Sequence, residues 1–397
     1  CWSSELTMRH FFNSTRREAR RLGQSPWDLA MVTWVPVLAV VLVVWIFSSA
    51  IPRNLPVGVM DEDHSALSRQ LVRMLNASPG MQVVDEFDSE SSAQLALREV
   101  RVYGMINIPR DFERDIKRGI KAEVILRHNA QFATHSSLLQ RDVRTVVGTL
   151  AAGIEMSARN KRGESAQQAK VSFNPIQIQS IALFNGSGNY EKYLTAAAIP
   201  AILHILAMTA GAWAVGREFR DRTLGQWLQH EGPRAVGAAL LGKLAIPWVT
   251  LTSVGAAALW YITTGRGWDI PGSLLWICLA MTLLMALSLA AGAAAATLTK
   301  SLRTALSVTG LLTAPAFAFS GMSFPLSAMP DSARMWATSM PFTHYIRLQT
   351  EQLLMGLTFG ASAATPAVFL LATLGLLGLA ALGLVQARDK PSTWGAR

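Results

Sequence analysis

Charge is scarce in this sequence and cysteine nearly absent, and both shortages narrow what the chain can be. Only 16% of its 397 residues are Asp, Glu, Lys or Arg, where soluble domains carry roughly 25%. Six windows hold none at all: residues 29–52, 193–216, 244–265, 270–299, 304–330 and 352–387. Each is long enough to cross about 30 Å of hydrocarbon at roughly 1.5 Å per helical residue. The buried core helix of a soluble protein accounts for one such window; six of them argue for membrane-spanning helices. The two cysteines, Cys1 and Cys278, are too few for a disulfide framework, and Cys278 falls inside a window, so no redox chemistry is implied. Lipid attachment at Cys1 is not expected, because the nearby cluster Arg16, Arg17, Arg20 and Arg21 holds this end in the cytoplasm. Catalytic signatures are missing as well. There is no HExxH, no GxSxG and no Cys–His cluster, and the seven histidines are scattered. No catalytic, cofactor or metal residue is assigned, and the chain is not expected to be an enzyme.

What charge there is sits unevenly. If the windows are spans, residues 1–28, 217–243, 300–303 and 388–397 share the side of the N-terminus, and they carry 15 Lys or Arg against 7 acids. The short segments on the opposite side, 266–269 and 331–351, are neutral, and the long insert 53–192 holds 18 bases and 16 acids. Most of the formal +10 therefore lies on one side, which the positive-inside rule makes cytoplasmic. The basic balance reports topology and contact with anionic membrane lipid, and it calls for no nucleic-acid partner.

Residues 1–28 contain an Arg-rich amphipathic helix, about 5–22, expected to lie along the inner membrane surface before a first span at 29–51. The next 140 or so residues are too many for a simple loop. Short apolar runs at 56–60, 81–84, 102–108 and 123–126 alternate with helical patterns starting near Ser65, Ser91 and Arg110, with Asp63 and Ser89 as caps. This is the texture of an inserted α/β domain, residues 52–192, ending in a helical stalk at 133–162 and a returning strand at 171–183. Five further spans follow at 194–216, 243–264, 272–299, 304–321 and 365–387, then a cytoplasmic tail, 388–397. Pro325, Pro330 and Pro341 break residues 322–364 into short helices expected to dip back into the outer leaflet. The fold class is an α-helical integral membrane protein with six transmembrane helices in a 1+5 arrangement and an inserted α/β periplasmic domain.

Three features bear on chemistry. Gly237, Gly242 and Lys243 have the spacing of a phosphate-binding loop, but Leu244 stands where a magnesium-holding Ser or Thr is required and a span follows at once. Lys243 is expected to be a cytoplasmic anchor at the membrane boundary. His204 lies at mid-depth in a span, and its role is open between function and a hydrogen bond linking two helices. The segment after the second span, residues 217–231, forms an amphipathic pattern. At 100° per residue Leu224, Trp227 and Leu228 share one face, while Glu218, Asp221, Arg222 and Gly225 share another, with Glu218 and Arg222 paired at i, i+4. Such a helix rests against the cytoplasmic surface and offers charge to a partner; a solvated loop is the plainer alternative.

In that segment the chain begins to resemble the permeases of type-2 ATP-binding-cassette exporters. Their loop after the second span reads close to E-R-E-x-G-T-x-E-x-L-x-x-x-P, and this sequence keeps Arg217, Glu218, Thr223, Leu228 and Pro233. It departs at Asp221 and Arg222 before the Thr, at Gln226 in place of the second acid and at Gly232 before the Pro. The run from Phe319 to Pro330, then Met340 to Tyr345 and Gln352 to Gly356, is similar to the family's segment between the last two spans. The runs from Leu55 to Ser65, Gly104 to Phe112 and Phe173 to Pro175 resemble the branch with a large periplasmic domain.

The resemblance implies a coupling helix that docks into a separate ATP-binding-cassette ATPase. Arg217, Glu218, Arg220, Asp221, Arg222, Thr223, Leu224, Trp227 and Leu228 are its candidate residues. It implies a dimer with a second copy or a paralogue, ATP and Mg on the partner ATPase rather than on this chain, and a place in the bacterial inner membrane. Both termini would be cytoplasmic and residues 52–192 periplasmic, working with a periplasmic adaptor and an outer-membrane channel. A hydrophobic or amphipathic substrate would leave by a path including His204, Phe317, Phe319, Met322 and Phe324; ordinary packing is the plainer reading of these aromatics. Competing readings are an ion-coupled secondary transporter, which would need carboxylates inside the spans, and a non-transporting scaffold or receptor-like membrane protein.

Overall fold

A computed structural model describes residues 2–49, 51–161, 189–228 and 232–394. The chain divides into two compact units, Cys1–Ala50 with Leu183–Arg397, and Ile51–Ala182. The first unit opens with α1 (Trp2–Gln24). Ser25 then caps α2 (Pro26–Val32), its hydroxyl accepting from the Asp28 amide at 3.4 Å, with Pro26 at the first helical position. After Thr33 the chain turns by 45° into α3 (Trp34–Ile46). Pro36 explains the bend: it has no N–H to offer the Val32 carbonyl, so the ladder breaks there. The window at 29–51, expected as one helix, is thus a broken one.

The second unit is built on a four-stranded sheet ordered β2-β1-β3-β4. In chain order it runs β1 (Leu55–Asp61), α4 (Ala66–Asn76), β2 (Met81–Glu86), α5 (Glu90–Arg98), β3 (Gly104–Ile108), α6 (Phe112–Lys117), β4 (Ile125–His128) and α7 (Ala133–Lys161). Strand β1 is parallel to β2 and β3, while β4 returns antiparallel to β3. The central strands β1 and β3 are buried almost throughout, as strands covered on both faces are. Their Val57, Val59, Ile106 and Ile108 pack with Leu71, Leu75 and Leu139. Ser65 and Ser89 cap α4 and α5 through bonds from the Ser68 and Ser92 amides. Asp63, expected to cap α4, instead accepts from the Glu113 amide in the first turn of α6 at 3.1 Å. The expected strand at 171–183 and the run Phe173 to Pro175 lie outside the described residues.

The first unit resumes with a π-turn, Glu191–Thr195, leading into α8 (Ala196–Arg220), then the short α9 (Leu224–Leu228) and α10 (Pro233–Trp260). Next come α11 (Leu274–Thr299), α12 (Leu302–Thr313), α13 (Ala316–Phe319), α14 (Asp331–Ser339), α15 (Pro341–Thr350), α16 (Phe359–Ser362) and α17 (Ala364–Arg388). Among the described residues five helices are long and apolar enough to cross a membrane, or six if the bent α2–α3 pair is one span. α8 and α11 cross closely because both offer glycine. A Cβ at Gly211 would lie 2.1 Å from the Leu289 carbonyl oxygen, and one at Gly292 would lie 2.0 Å from that of Met208. Without water to drive helices together, such small-residue contacts are what hold a membrane bundle. By contrast α3 and α17 present Leu38, Val41, Trp45, Leu371 and Leu374 outward, a face suited to lipid.

The proline-broken segment expected at 322–364 does form short helices, α14 and α15 starting beside Pro330 and at Pro341. α15 is tied into the bundle. The Tyr345 hydroxyl donates to Gln349 Oε1 at 2.6 Å, and Gln349 Nε2 donates to the Ala196 carbonyl at 2.5 Å. Just beyond it, Gln352 Oε1 accepts from the Ser273 amide at 3.2 Å. Those bonds satisfy the polar groups of a segment lodged among spans.

Candidate functional site

Where α1, α2, α8 and α10 meet, beside α9, seven ionisable side chains interlock. α8 ends at Arg220, Asp221 caps it, and Arg222 adopts φ +55°, which turns the chain back on itself. The Thr223 amide then bonds to the Glu218 carbonyl at 3.0 Å, and its hydroxyl donates to the Glu218 carboxylate. Glu218 is fully buried. Its carboxylate accepts from Arg17 at 2.7 and 3.1 Å, from Lys243 Nζ at 2.6 Å and from Arg21.

Lys243, 1% exposed, also donates to Glu18 Oε2 at 2.9 Å. Glu18 accepts in turn from Arg217, whose other terminal nitrogen reaches Asp28 at 2.6 Å. Asp28 is held further by the Trp213 indole at 3.0 Å. Four cations thus face three carboxylates, with Asp221 within 3.5 Å of Arg21 as a weaker fourth acid. Buried pairs of this kind add little net stability, but removing one partner strands a charge.

The cluster fixes α9. Leu224, Trp227 and Leu228 are buried while Gly225 and Gln226 are exposed. The Trp227 indole donates to Ser14 Oγ at 2.9 Å, and its ring lies 4.6 Å from Lys243 Nζ, a cation–π contact. From the C-terminal side Trp394 folds under the helix. Its indole donates to the Ala387 carbonyl at 2.6 Å, and its ring would lie 3.6 Å from a Cβ at Gly225.

The residues singled out from the sequence are therefore divided. Leu224, Trp227 and Leu228 do share an inward face, and Arg220, Asp221 and Arg222 are exposed. Arg217 and Glu218 face inward too, where a surface position was expected. The i, i+4 pair of Glu218 and Arg222 does not form: the helix stops at Arg220 and Arg222 turns left-handed, so Glu218 stays with Arg17, Arg21 and Lys243. The single helix expected at 217–231 is two, and residues 229–231 lie outside the described residues.

Lys243 is a buried ion-pair partner, not a boundary anchor. Gly242 beside it is required because a Cβ there would lie 2.2 Å from the Phe11 carbonyl oxygen; the phosphate-loop spacing is a packing device. α1, expected at the membrane surface, packs on α10, its Thr15 donating to the Gly242 carbonyl at 2.9 Å. Ser14, Glu18, Asp28 and Trp394 are not among the residues singled out from the sequence, where Arg17 and Arg21 enter only as part of a basic cluster orienting the N-terminal end. Their signal is faint: Ser14, Glu18 and Arg21 recur at helical spacing with Leu22, marking one face of α1.

Nearer the start of α8 the chemistry changes. His204 is buried and its Nδ1 lies 2.7 Å from Ser288 Oγ on α11. Ser288 gives its own proton to the Leu284 carbonyl at 2.6 Å, so Nδ1 carries the hydrogen and donates. This is the helix-to-helix bond of the plainer reading. The His204 ring also stacks on Phe342, centroids 6.1 Å apart. Phe342 belongs to an apolar cluster with Ala197, Ala201, Ala316, Met340 and Ile346, against which Phe317, Phe319 and Met322 pack. Phe324, 51% exposed, stands outside it. Among the described residues no three His, Cys, Asp or Glu are grouped to hold a metal.

Comparison with known proteins places residues 26–382 within the description "ABC-2 family transporter protein". The chain is 24% identical over 366 residues to the inner membrane transport permease YhhJ of Escherichia coli (strain K12), covering 89% of this chain and 91% of that one. The protein of the same name from Shigella flexneri matches to the same extent. It is also 26% identical over 131 residues to the linearmycin resistance permease protein LnrN of Bacillus subtilis (strain 168), which covers 32% of this chain and only 33% of that protein. No solved structure matches.

Proposed function

Because the chain belongs to the ABC-2 family of transporter proteins, we propose that it is the permease subunit of an ATP-driven exporter, two copies acting with a pair of ATP-binding-cassette ATPase chains. As a membrane transport component it leaves hydrolysis, ATP and Mg to the partner. The reading has six spans in a 1+5 arrangement in a bacterial inner membrane, both termini cytoplasmic and the insert 52–192 periplasmic. The excess of Lys and Arg on the segments around α1, α9 and the tail supports that orientation. The insert is the docking module for a periplasmic adaptor and outer-membrane channel. The cargo is apolar or amphipathic, moving past the cluster around Phe317, Phe319, Met322 and Phe342.

One observation carries the mechanism: α9 cannot move alone. It is bonded to α1 through Ser14, stacked on Lys243 of α10 and underlaid by Trp394, while Glu218 ties α8 to both α1 and α10. A push from closing ATPase chains on the exposed Gly225–Gln226 side passes to α1, α8 and α10 together as a rigid-body displacement. The glycine crossing of α8 and α11 carries it into the spans.

To test this, a photo-cross-linking amino acid is placed at exposed Gln226 and, as a control, at buried Leu228 in the full-length protein. The reading predicts that only the Gln226 probe captures an ATP-binding-cassette chain, with a yield that changes when vanadate traps the nucleotide. Capture of lipid alone from Gln226 overturns it.

A further inference from the structure

Arg222 ends α8 through its backbone turn, but its side chain has no internal partner among the described residues. It follows the C-cap of α8 with φ +55°, in the left-handed region where a Cβ crowds the backbone and glycine is the usual occupant. An arginine is strained there; the turn is closed by the Arg222 amide on the Phe219 carbonyl at 3.3 Å and the Thr223 amide on the Glu218 carbonyl at 3.0 Å, bonds to which the arginine side chain contributes nothing. Its side chain is exposed and forms no hydrogen bond or ion pair with the described residues. The neighbouring bases differ. Arg220 bonds to Asp221 at 2.8 Å and lies over the Trp213 ring at 5.2 Å, and Arg217 is inside the buried cluster. Arg234, at the start of α10, is likewise exposed and without such a partner among the described residues. Gly225 and Gln226 add no charge, and among the described residues near α9 the exposed bases Arg220, Arg222 and Arg234 outnumber the exposed acid Asp221. The turn is also held firmly from beneath, by Thr223 on Glu218 and by Trp227 on Ser14, so the guanidinium is presented from a fixed mount.

We propose that Arg222 is the partner-selecting contact of this loop, entering an acidic cleft on the ATPase subunit. An arginine suits the role because its planar fork pairs with carboxylates in two-point fashion. The inference rests on α9 being the ATPase contact, and it adds which side chain recognises the partner and by what chemistry.

The test uses full-length protein in nanodiscs, titrated at low and high salt with the ATP-binding-cassette subunit that co-purifies with it. Arg222→Gly relieves the backbone strain, so its thermal midpoint should equal or exceed that of the parent while affinity falls about three- to thirty-fold and the salt dependence flattens. Arg222→Lys should recover part of the affinity, and Arg222→Glu should bind more weakly than Arg222→Gly. If the parent binds but Arg222→Gly and Arg222→Glu bind as tightly with the same salt slope, the assignment of Arg222 is wrong and the exporter reading survives. If no such ATPase binds the parent, the exporter reading fails and this inference with it.

Discussion

At its last turn α8 delivers Arg217 and Glu218 into a nest of opposite charges drawn from α1, α2 and α10, whereas in the first half of the same helix His204 meets a single serine and an aromatic ring. The contrast is between directional and adaptable contact. At the Arg217–Glu218 end each carboxylate is satisfied by more than one partner, and any relative shift of α1, α8 or α10 would strand a buried charge. In the middle and beyond, Phe317, Phe319, Met322 and Phe342 offer apolar surface that can repack without such a penalty. One end is suited to transmitting motion and the other to yielding to it.

The contrast can be broken most severely at Lys243. Lys243→Met leaves Glu18 and Glu218 buried without their shared cation and should lower stability by about 3–5 kcal/mol. Adding Glu18→Gln should restore part of that loss, a coupling read from thermal unfolding of the four proteins of the cycle in detergent. Equal and additive losses would mean the pair is not coupled.

An intermediate effect is expected at Trp394. Trp394→Ala removes the floor under α9, destabilising it locally by on the order of 1–3 kcal/mol, seen as faster amide exchange at Leu224–Leu228 with α11 unaffected. The smallest effect belongs to His204. His204→Ala deletes one interhelical bond, which in membranes is worth roughly 0.6–1.7 kcal/mol. It should lower the thermal midpoint slightly and leave ATPase stimulation intact; loss of stimulation would place His204 in the transmission path instead.

The parts legible in the sequence were those governed by near neighbours. Charge-free windows located the apolar helices, and alternating apolar runs located β1 to β4 within one or two residues. The serines at 65 and 89 announced their helices because a cap acts three residues ahead. Contacts across long separations were not legible. Asp63 serves a helix 50 residues on, and Glu218 finds partners 201 and 197 residues back in α1. Glu218 was placed on the wrong face because one residue, Arg222, leaves helical geometry, and no periodic pattern carries past such a break. Residues 29–51 hide their bend for the related reason that hydropathy is blind to the missing N–H of Pro36.

The central claim, that α1 and α9 move as one body, is tested most directly by a distance. Spin labels at exposed Asn13 on α1 and Gln226 on α9, with Cys1→Ser and Cys278→Ser, would be measured by double electron–electron resonance in the complex with its ATPase. The account predicts one narrow distribution whose mean is the same without nucleotide and after vanadate trapping. A shift of that mean, or a second population appearing with nucleotide, would contradict it.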